Sequence, residues 1–329
     1  MRDARIIGTG IYVPERILTN ADLSRNLGVD IDEFVTTVVG IRERHIAADD
    51  ESAADLAANA ALAAIADSGI SAAEIDLILL ATDTPEYISP ATSVVVQDRI
   101  GAVNAGTFDI NCACAGFVTT LDAAYKYIIA DSSYKNVLVI GCYAMSKFID
   151  WADKKTSTLF ADGAGAMVLQ AVEDETHFLA SKLVADGSYH DFMGIFAGGT
   201  KEPISQNVLD ENNSNRLRFA KKYPPEVNIN GWPKVVDEVL AKASIGRDDV
   251  DVYLWTQVNL STIKLVMAEM EIPYGKTHTI MHKWGYTGSA CIPMVFHDAL
   301  AEGKIKRGDT VVLCASGGGL NMACLAIKY

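Results

Sequence analysis

The sequence predicts a layered α/β protein made of two similar halves, each a sheet covered by helices on both faces. Short apolar strand-like segments alternate with helical ones along the 329 residues, a pattern that implies largely parallel sheets buried on both sides. Three landmarks also recur at nearly one offset. Ser68–Leu79 is echoed by Ala243–Leu254 (245 − 70 = 175), Val137–Ile140 by Val311–Cys314 (311 − 137 = 174), and Asp122-Ala123 by Asp298-Ala299 (298 − 122 = 176). In-order recurrence of this kind points to a duplication, with halves at 1–172 and 173–329.

The elements follow in order. Ser52 is the expected N-cap of an Ala-rich helix, Ala53 to Asp67, which Gly69 closes. A buried strand follows at Leu77–Ala81. Phe117, Val118, Leu121, Ala124, Tyr125, Ile128 and Ile129 fall at helical spacing, so a helix beginning near Ala115 buries one face. Gly163 and Gly165 are expected in a tight turn that enters a strand at Met167–Leu169. No GxxxxGK[ST] phosphate loop is present.

Composition excludes several function classes. Lys and Arg number 28 against 42 Asp and Glu, a net charge of −14, which opposes a sequence-independent grip on nucleic acid and binding to anionic membranes. The apolar stretch Ile6–Gly10 is too short for a signal peptide, and no run approaches the ~20 apolar residues of a membrane span. A cytoplasmic, reduced protein is expected, with the Asn-x-Ser triplets at Asn212 and Asn259 incidental. The six cysteines (112, 114, 142, 291, 314, 324) form no CxxC pair, and no His cluster has metal-ligand spacing.

The informative segment is Phe108-Asp109-Ile110-Asn111-Cys112-Ala113-Cys114-Ala115-Gly116-Phe117. It places Cys114 at the start of a helix, where the helix dipole favours thiolate and the small neighbours leave the approach open. The other five cysteines are read as small core residues.

Here the chain resembles the β-ketoacyl-acyl-carrier-protein synthase III (KAS III) family of the thiolase superfamily, over nearly its whole length. The matching pieces are Ile6-Ile7-Gly8-Thr9-Gly10, Gly40–Ile46 (GIRERHI), Cys114-Ala115-Gly116-Phe117, Ala161–Ala166 (ADGAGA), Ala185–Tyr189 (ADGSY) and Gly317-Gly318-Gly319. The resemblance implies a five-layer αβαβα fold from two duplicated halves, usually homodimeric. It also implies that Cys114 takes an acyl group from a thioester, with its own N–H and that of Gly318 as the oxyanion hole. One such donor is typically worth about 3 kcal/mol.

Two catalytic positions of the family are replaced. Where it has the His of an HQAN-like motif this chain has Thr256, and where it has the Asn of an HGNTS-like motif this chain has Tyr286. Neither ordinary side chain is a base near neutral pH. Losing two donors unreplaced would raise the barrier to decarboxylative condensation by roughly 5–8 kcal/mol. The CoA-binding positions of the family correspond to Phe34 (for an adenine-stacking Trp), Val38 (for an Arg), Lys154 (for an Arg) and Asn259 beside the pantetheine arm. Ser261 stands where the family carries a basic residue toward the carrier protein.

Further polar residues invite a role. Glu86 is weighed as a partner-reaching base against a solvated loop residue, and His282 as catalytic against a surface histidine. Trp255 and Trp284 flank the replaced positions, either as packing or as walls of a flat aromatic pocket. Lys304–Arg307 and Arg216–Lys222 are expected on solvated faces.

The function expected is an acyltransferase forming an acyl-enzyme on Cys114 from an acyl-CoA or acyl-carrier-protein thioester. It then passes the group to a second substrate that Thr256 and Tyr286 orient, in fatty-acid-like or secondary-metabolite biosynthesis. No cofactor is expected to be held permanently, CoA thioester being a substrate. The rivals are decarboxylative condensation, thioester hydrolysis, and a catalytically silent partner subunit.

Overall fold

The computed structural model describes residues 2–209 and 214–329. Asn212, with its Asn-x-Ser triplet, lies outside the described residues. The strands, in chain order, are β1 (Arg2–Tyr12), β2 (Arg16–Thr19), β3 (Glu43–Ile46), β4 (Leu77–Ala81), β5 (Gly106–Ile110), β6 (Asn136–Ala144), β7 (Asp162–Glu173), β8 (Phe178–Ala185), β9 (Met193–Gly194), β10 (Arg218–Phe219), β11 (Val252–Trp255), β12 (Thr310–Gly317) and β13 (Asn321–Lys328).

Two large sheets carry the fold. One has the order β1-β7-β6-β4-β5, the other β11-β12-β13-β8. Read from the opposite edge, the second repeats the first: β8, β13, β12 and β11 stand where β1, β7, β6 and β4 do, with the same pairing directions. Thr277 bridges Tyr253 in parallel, at the position β5 takes beside β4. The duplication read at offsets 174–176 is therefore a duplication of topology. The sheets are mixed rather than largely parallel. β4, β5 and β6 run parallel, but β7 turns back along β6 and β1 runs antiparallel to β7.

Five layers result. The Ala-rich helix Ala53–Ser68 covers the outer face of the first sheet, with Thr92–Ile100 beside it. Helices Gly116–Ala130 and Cys291–Ala301 lie between the sheets. Val227–Ala243 covers the outer face of the second, with Leu260–Glu269 packed beside it. The Ala-rich helix is capped by Ser52 through a capping box with Asp55 and ends at Gly69, φ 76°. Alanine lets it lie directly on β1: a Cβ on Gly10 would come 2.3 Å from Ala64 N, and one on Gly8 2.4 Å from Ala64 O.

Gly163 and Gly165 form no tight turn. Both lie inside β7, Gly165 paired with β1 and β6 and Gly163 with β6. The middle layer dictates glycine there, since a Cβ on Gly165 would stand 2.8 Å from Pro293 Cβ. Asp162, at the start of that strand, is buried and accepts the N–H groups of Ala47 (2.8 Å) and Ser146 (2.9 Å). Arg44 of the GIRERHI segment is likewise buried, donating to Asn20 Oδ1 (2.8 Å) and to the carbonyl of Thr158 (2.9 Å). These two motifs weld the loops around the site to the frame.

Candidate active site

Cys114 sits between the two halves. β5 ends at Ile110, and the chain then turns sharply: Asn111 Oδ1 accepts the N–H of Ala113, which is held at φ 47°. A non-glycine residue in that region carries strain of about 1–3 kcal/mol, which marks a site where direction matters. A 3₁₀ turn, Ala113–Ala115, carries Cys114 directly into helix Gly116–Ala130. Against this elbow presses the Gly317–Gly319 turn that joins β12 to β13. A Cβ on Gly317 would lie 2.4 Å from Cys112 O and 2.8 Å from Cys114 N. The glycine turn thus lies directly against the backbone of Cys112–Ala115.

Cys114 opens into a cavity of about 240 Å³ whose wall includes Gly317, Gly318, Ser316, Asn228, Tyr286 and Phe160. Phe219 and Tyr223 belong both to this cavity and to an outer groove of about 790 Å³. The groove is lined by Phe34, Lys154 and Asn259, the three residues expected at a CoA site, and also by Lys155, Lys221 and Lys222. Phe34 is exposed, its ring available for stacking. Asn259 caps helix Leu260–Glu269 through Thr262 N, while Ser261 Oγ donates to Val38 O (2.8 Å), tying that helix to the groove wall.

The electrostatics correct one expectation. Cys114 is not easily ionised: burial pushes its thiol well above the ordinary range, the Asp83 carboxylate adds to the rise, and a hydrogen bond from the Tyr286 hydroxyl opposes it. Tyr286 is itself buried, and desolvation pushes its hydroxyl well up, so it remains a donor. Asp83 follows β4 closely, has a buried oxygen without a hydrogen-bond partner among the described residues, and is raised to about 6 by burial. Cys114 is thereby favoured as a neutral thiol that receives a hydrogen bond.

Several expected residues stand elsewhere. Thr256 is buried and does not line the cavity; its Oγ1 accepts the N–H of Ser316 at 2.9 Å. Tyr286 lines the cavity beside Cys114, and its hydroxyl donates to that sulfur. Glu86 is not a solvated loop residue: its carboxylate accepts Ala54 N–H (2.9 Å) at the start of the Ala-rich helix and pairs with Arg99 (3.4 Å). His282 is half-buried, lowered by desolvation and by Lys283, and lines neither the cavity nor the groove. Trp255 stacks on Trp232 (5.3 Å) and Tyr253 (5.8 Å) in the core, and Trp284 lies under Lys283; neither lines the cavity or the groove.

The basic segments are also more engaged than solvated faces. Arg307 lies over the Tyr329 ring at 4.0 Å and donates to Ile6 O, and Lys221 pairs with Asp191 (2.6 Å). The sequence reading missed Asp83, Asn228 and Ser316. Only the position of Ser316 beside the glycine turn could have signalled one of them.

A thiol on a strained elbow, faced by a glycine turn where two duplicated halves meet, defines a thiolase-like, acyl-transferring enzyme. Comparison with known proteins agrees. Residues 108–187 match the family 3-Oxoacyl-[acyl-carrier-protein (ACP)] synthase III, and residues 240–329 match its C-terminal counterpart. The β-ketoacyl-[acyl-carrier-protein] synthase III of Xanthomonas axonopodis pv. citri is 36% identical over 330 residues, covering 99% of this chain and 98% of that protein. The crystal structure of the Aquifex aeolicus 3-oxoacyl-[acyl-carrier-protein] synthase III superposes with TM-score 0.89 at 36% identity, covering 99% of this chain and 100% of that one. A priming β-ketosynthase from the R1128 polyketide pathway superposes at TM-score 0.87 and 26% identity, over 98% of this chain and 95% of that one. The chain belongs to the KAS III family of condensing enzymes.

Proposed function

We propose that this enzyme forms an acyl-enzyme on Cys114 from an acyl-CoA or acyl-carrier-protein thioester and passes the acyl group to a second substrate. The Cys114 sulfur bonds to the thioester carbonyl carbon while the Cys114 and Gly318 N–H groups hold the oxyanion. The bond from carbon to the CoA sulfur then breaks, and the thiol proton leaves on the departing CoA thiol. The observation that carries this reading is the Gly317–Gly319 turn pressed against Cys114 N in a cavity that shares Phe219 and Tyr223 with the outer groove. Phe34, Lys154 and Asn259 support CoA as donor, as substrate and not as a resident cofactor. Lys155 and Lys222 add positive charge at the groove, favourable to phosphate groups. The family and the priming ketosynthase relative support a place in fatty-acid-like or polyketide-like biosynthesis.

Incubation with short- to long-chain acyl-CoAs should add one acyl group to Cys114 and none to Cys114→Ala, read by mass spectrometry. No adduct with any chain would overturn the reading and favour a catalytically silent subunit. Free acid formed without an acceptor would indicate hydrolysis. CO2 release from malonyl-CoA would establish the decarboxylative route.

The same reading assigns the nucleophile to residues 1–172 and the glycine turn to residues 173–329. It places the enzyme in a reducing cytoplasm, where a free thiol persists. A homodimer is part of the proposal. β5 is an edge strand with β4 as its neighbour; Val94 on the helix packed against it, Val103 just before it and Tyr127 beside its Phe108 are exposed apolar residues. A single mass in light scattering corresponding to two chains would support it.

A further inference from the structure

The cavity holds fewer free hydrogen-bond donors than its lining suggests. The Tyr286 hydroxyl is engaged with Cys114. Thr256 lies behind the wall with its oxygen on Ser316 N, and the Ser316 hydroxyl donates to Asn228 Oδ1 at 2.9 Å. Thr256, Ser316 and Asn228 therefore form one chain of contacts from β11 through β12 to the first turn of helix Val227–Ala243. Its last member lines the cavity that holds Cys114. With one lone pair of its oxygen taken by the Ser316 hydroxyl, Asn228 has its Nδ2 hydrogens to offer.

We propose that Asn228 positions the second substrate, its Nδ2 donating to the carbonyl oxygen of a carbonyl-bearing acceptor, in place of the family donors that this chain has replaced with Thr256 and Tyr286. The proposal rests on the acyl-enzyme reading above and names the acceptor's class: a compound whose nucleophilic atom adjoins a carbonyl, such as a second thioester. Charge building on that oxygen strengthens an amide hydrogen bond. Ser316 fixes which end of the amide faces inward, and Thr256 fixes Ser316. Both are positioning residues. Thr256 thus keeps a part in handling the acceptor, at one remove.

The test separates the two half-reactions. Cys114 is first loaded from the acyl-CoA panel, and malonyl-CoA is then titrated onto the acyl-enzyme as a carbonyl probe, its thioester band followed by 13C-edited infrared spectroscopy. Asn228→Ala should bind malonyl-CoA about tenfold more weakly, with the band shifted toward that of the free thioester, and should lose clearly less in the rate at which Cys114 loads. Asn228→Asp, similar in size but an acceptor, should bind more weakly still, and Ser316→Ala should fall between. Equal binding by Asn228→Ala, loading slowed by the same factor as binding, binding retained in Asn228→Asp, or no binding to the unaltered acyl-enzyme would each overturn the assignment. Failure of the unaltered enzyme to load would instead remove the acyl-enzyme reading, and is scored separately on Cys114.

Discussion

Gly317→Ala tests the oxyanion hole directly. The added Cβ would stand 2.4 Å from Cys112 O, 2.8 Å from Cys114 N and 2.9 Å from Ala115 N, where 3.4 Å begins ordinary contact. The largest shortfall is 3.4 − 2.4 = 1.0 Å, and all three neighbours are backbone atoms of the nucleophile elbow. No rotamer can relieve the overlap, so the turn and the elbow must separate by several tenths of an ångström to 1 Å. Oxyanion donors act over a window of only about 2.7–3.1 Å, and losing one typically lowers the rate 10²–10³-fold, ~3–4 kcal/mol. Acylation of Cys114 by the preferred acyl-CoA, timed by quenched-flow mass spectrometry, should fall by about that factor. Alkylation of the same thiol by iodoacetamide, which needs no oxyanion hole, should change by less than about threefold. Acylation by Gly317→Ala at the unaltered rate would refute the assignment of this turn.

Asp83→Asn removes a buried charge, one oxygen of which has no hydrogen-bond partner among the described residues. The folded carboxyl lies near 6 against 3.8, so the stability this group contributes is present below about pH 4 and lost as pH rises through 6. The variant should gain up to ~3 kcal/mol (about 2 units) on the parent at pH 8 and little at pH 4, read by urea unfolding. The same variant should alkylate faster at Cys114 at pH 7.5, because the carboxylate no longer opposes the thiolate, and the two proteins should converge below pH 6 where Asp83 is neutral. Tyr286→Phe keeps the ring against Phe160 (centroids 5.6 Å) but removes the donor to Cys114; acylation should slow about tenfold with little change in Tm. Arg44→Ala leaves the Asn20 and Thr158 oxygens without their buried donor and should cost about 2–4 kcal/mol in urea unfolding.

What was legible in the sequence was local or repeated. The Ser52 cap, the Gly69 stop and the strand Leu77–Ala81 depend on neighbours a few residues away, and each appears as read. The duplication was legible because Leu77 pairs with Val137 as Val252 pairs with Val311, 175 and 174 residues later. That Cys114 and the glycine turn belong to one site was legible through motif, and the two lie together. The misreadings all involve distant partners. Glu86 finds a helix N-terminus 32 residues upstream, and Gly165 owes its glycine to Pro293. Thr256 follows strand β11 and ties its oxygen to β12 rather than to the cavity. Asn228 joins the site only because helix Val227–Ala243 covers the second sheet, which no local pattern around it announces.

The raised thiol at Cys114 bears on the order of events. Burial and Asp83 penalise a charged sulfur, but an acylated sulfur is neutral and escapes both penalties. The pocket therefore favours the acyl-enzyme over the free thiolate, and discharge must return negative charge to the sulfur beside Asp83. Tyr286, whose hydroxyl stays protonated and points at that sulfur, is the group on hand to relieve it. It follows that the proposed acyl-enzyme should persist without an acceptor, and that Tyr286→Phe should lengthen its lifetime as well as slow its formation. An acyl-enzyme that discharges into buffer as fast as a simple acyl thioester hydrolyses, with or without Tyr286, would show that the field at Cys114 has no part in holding the acyl group for its acceptor.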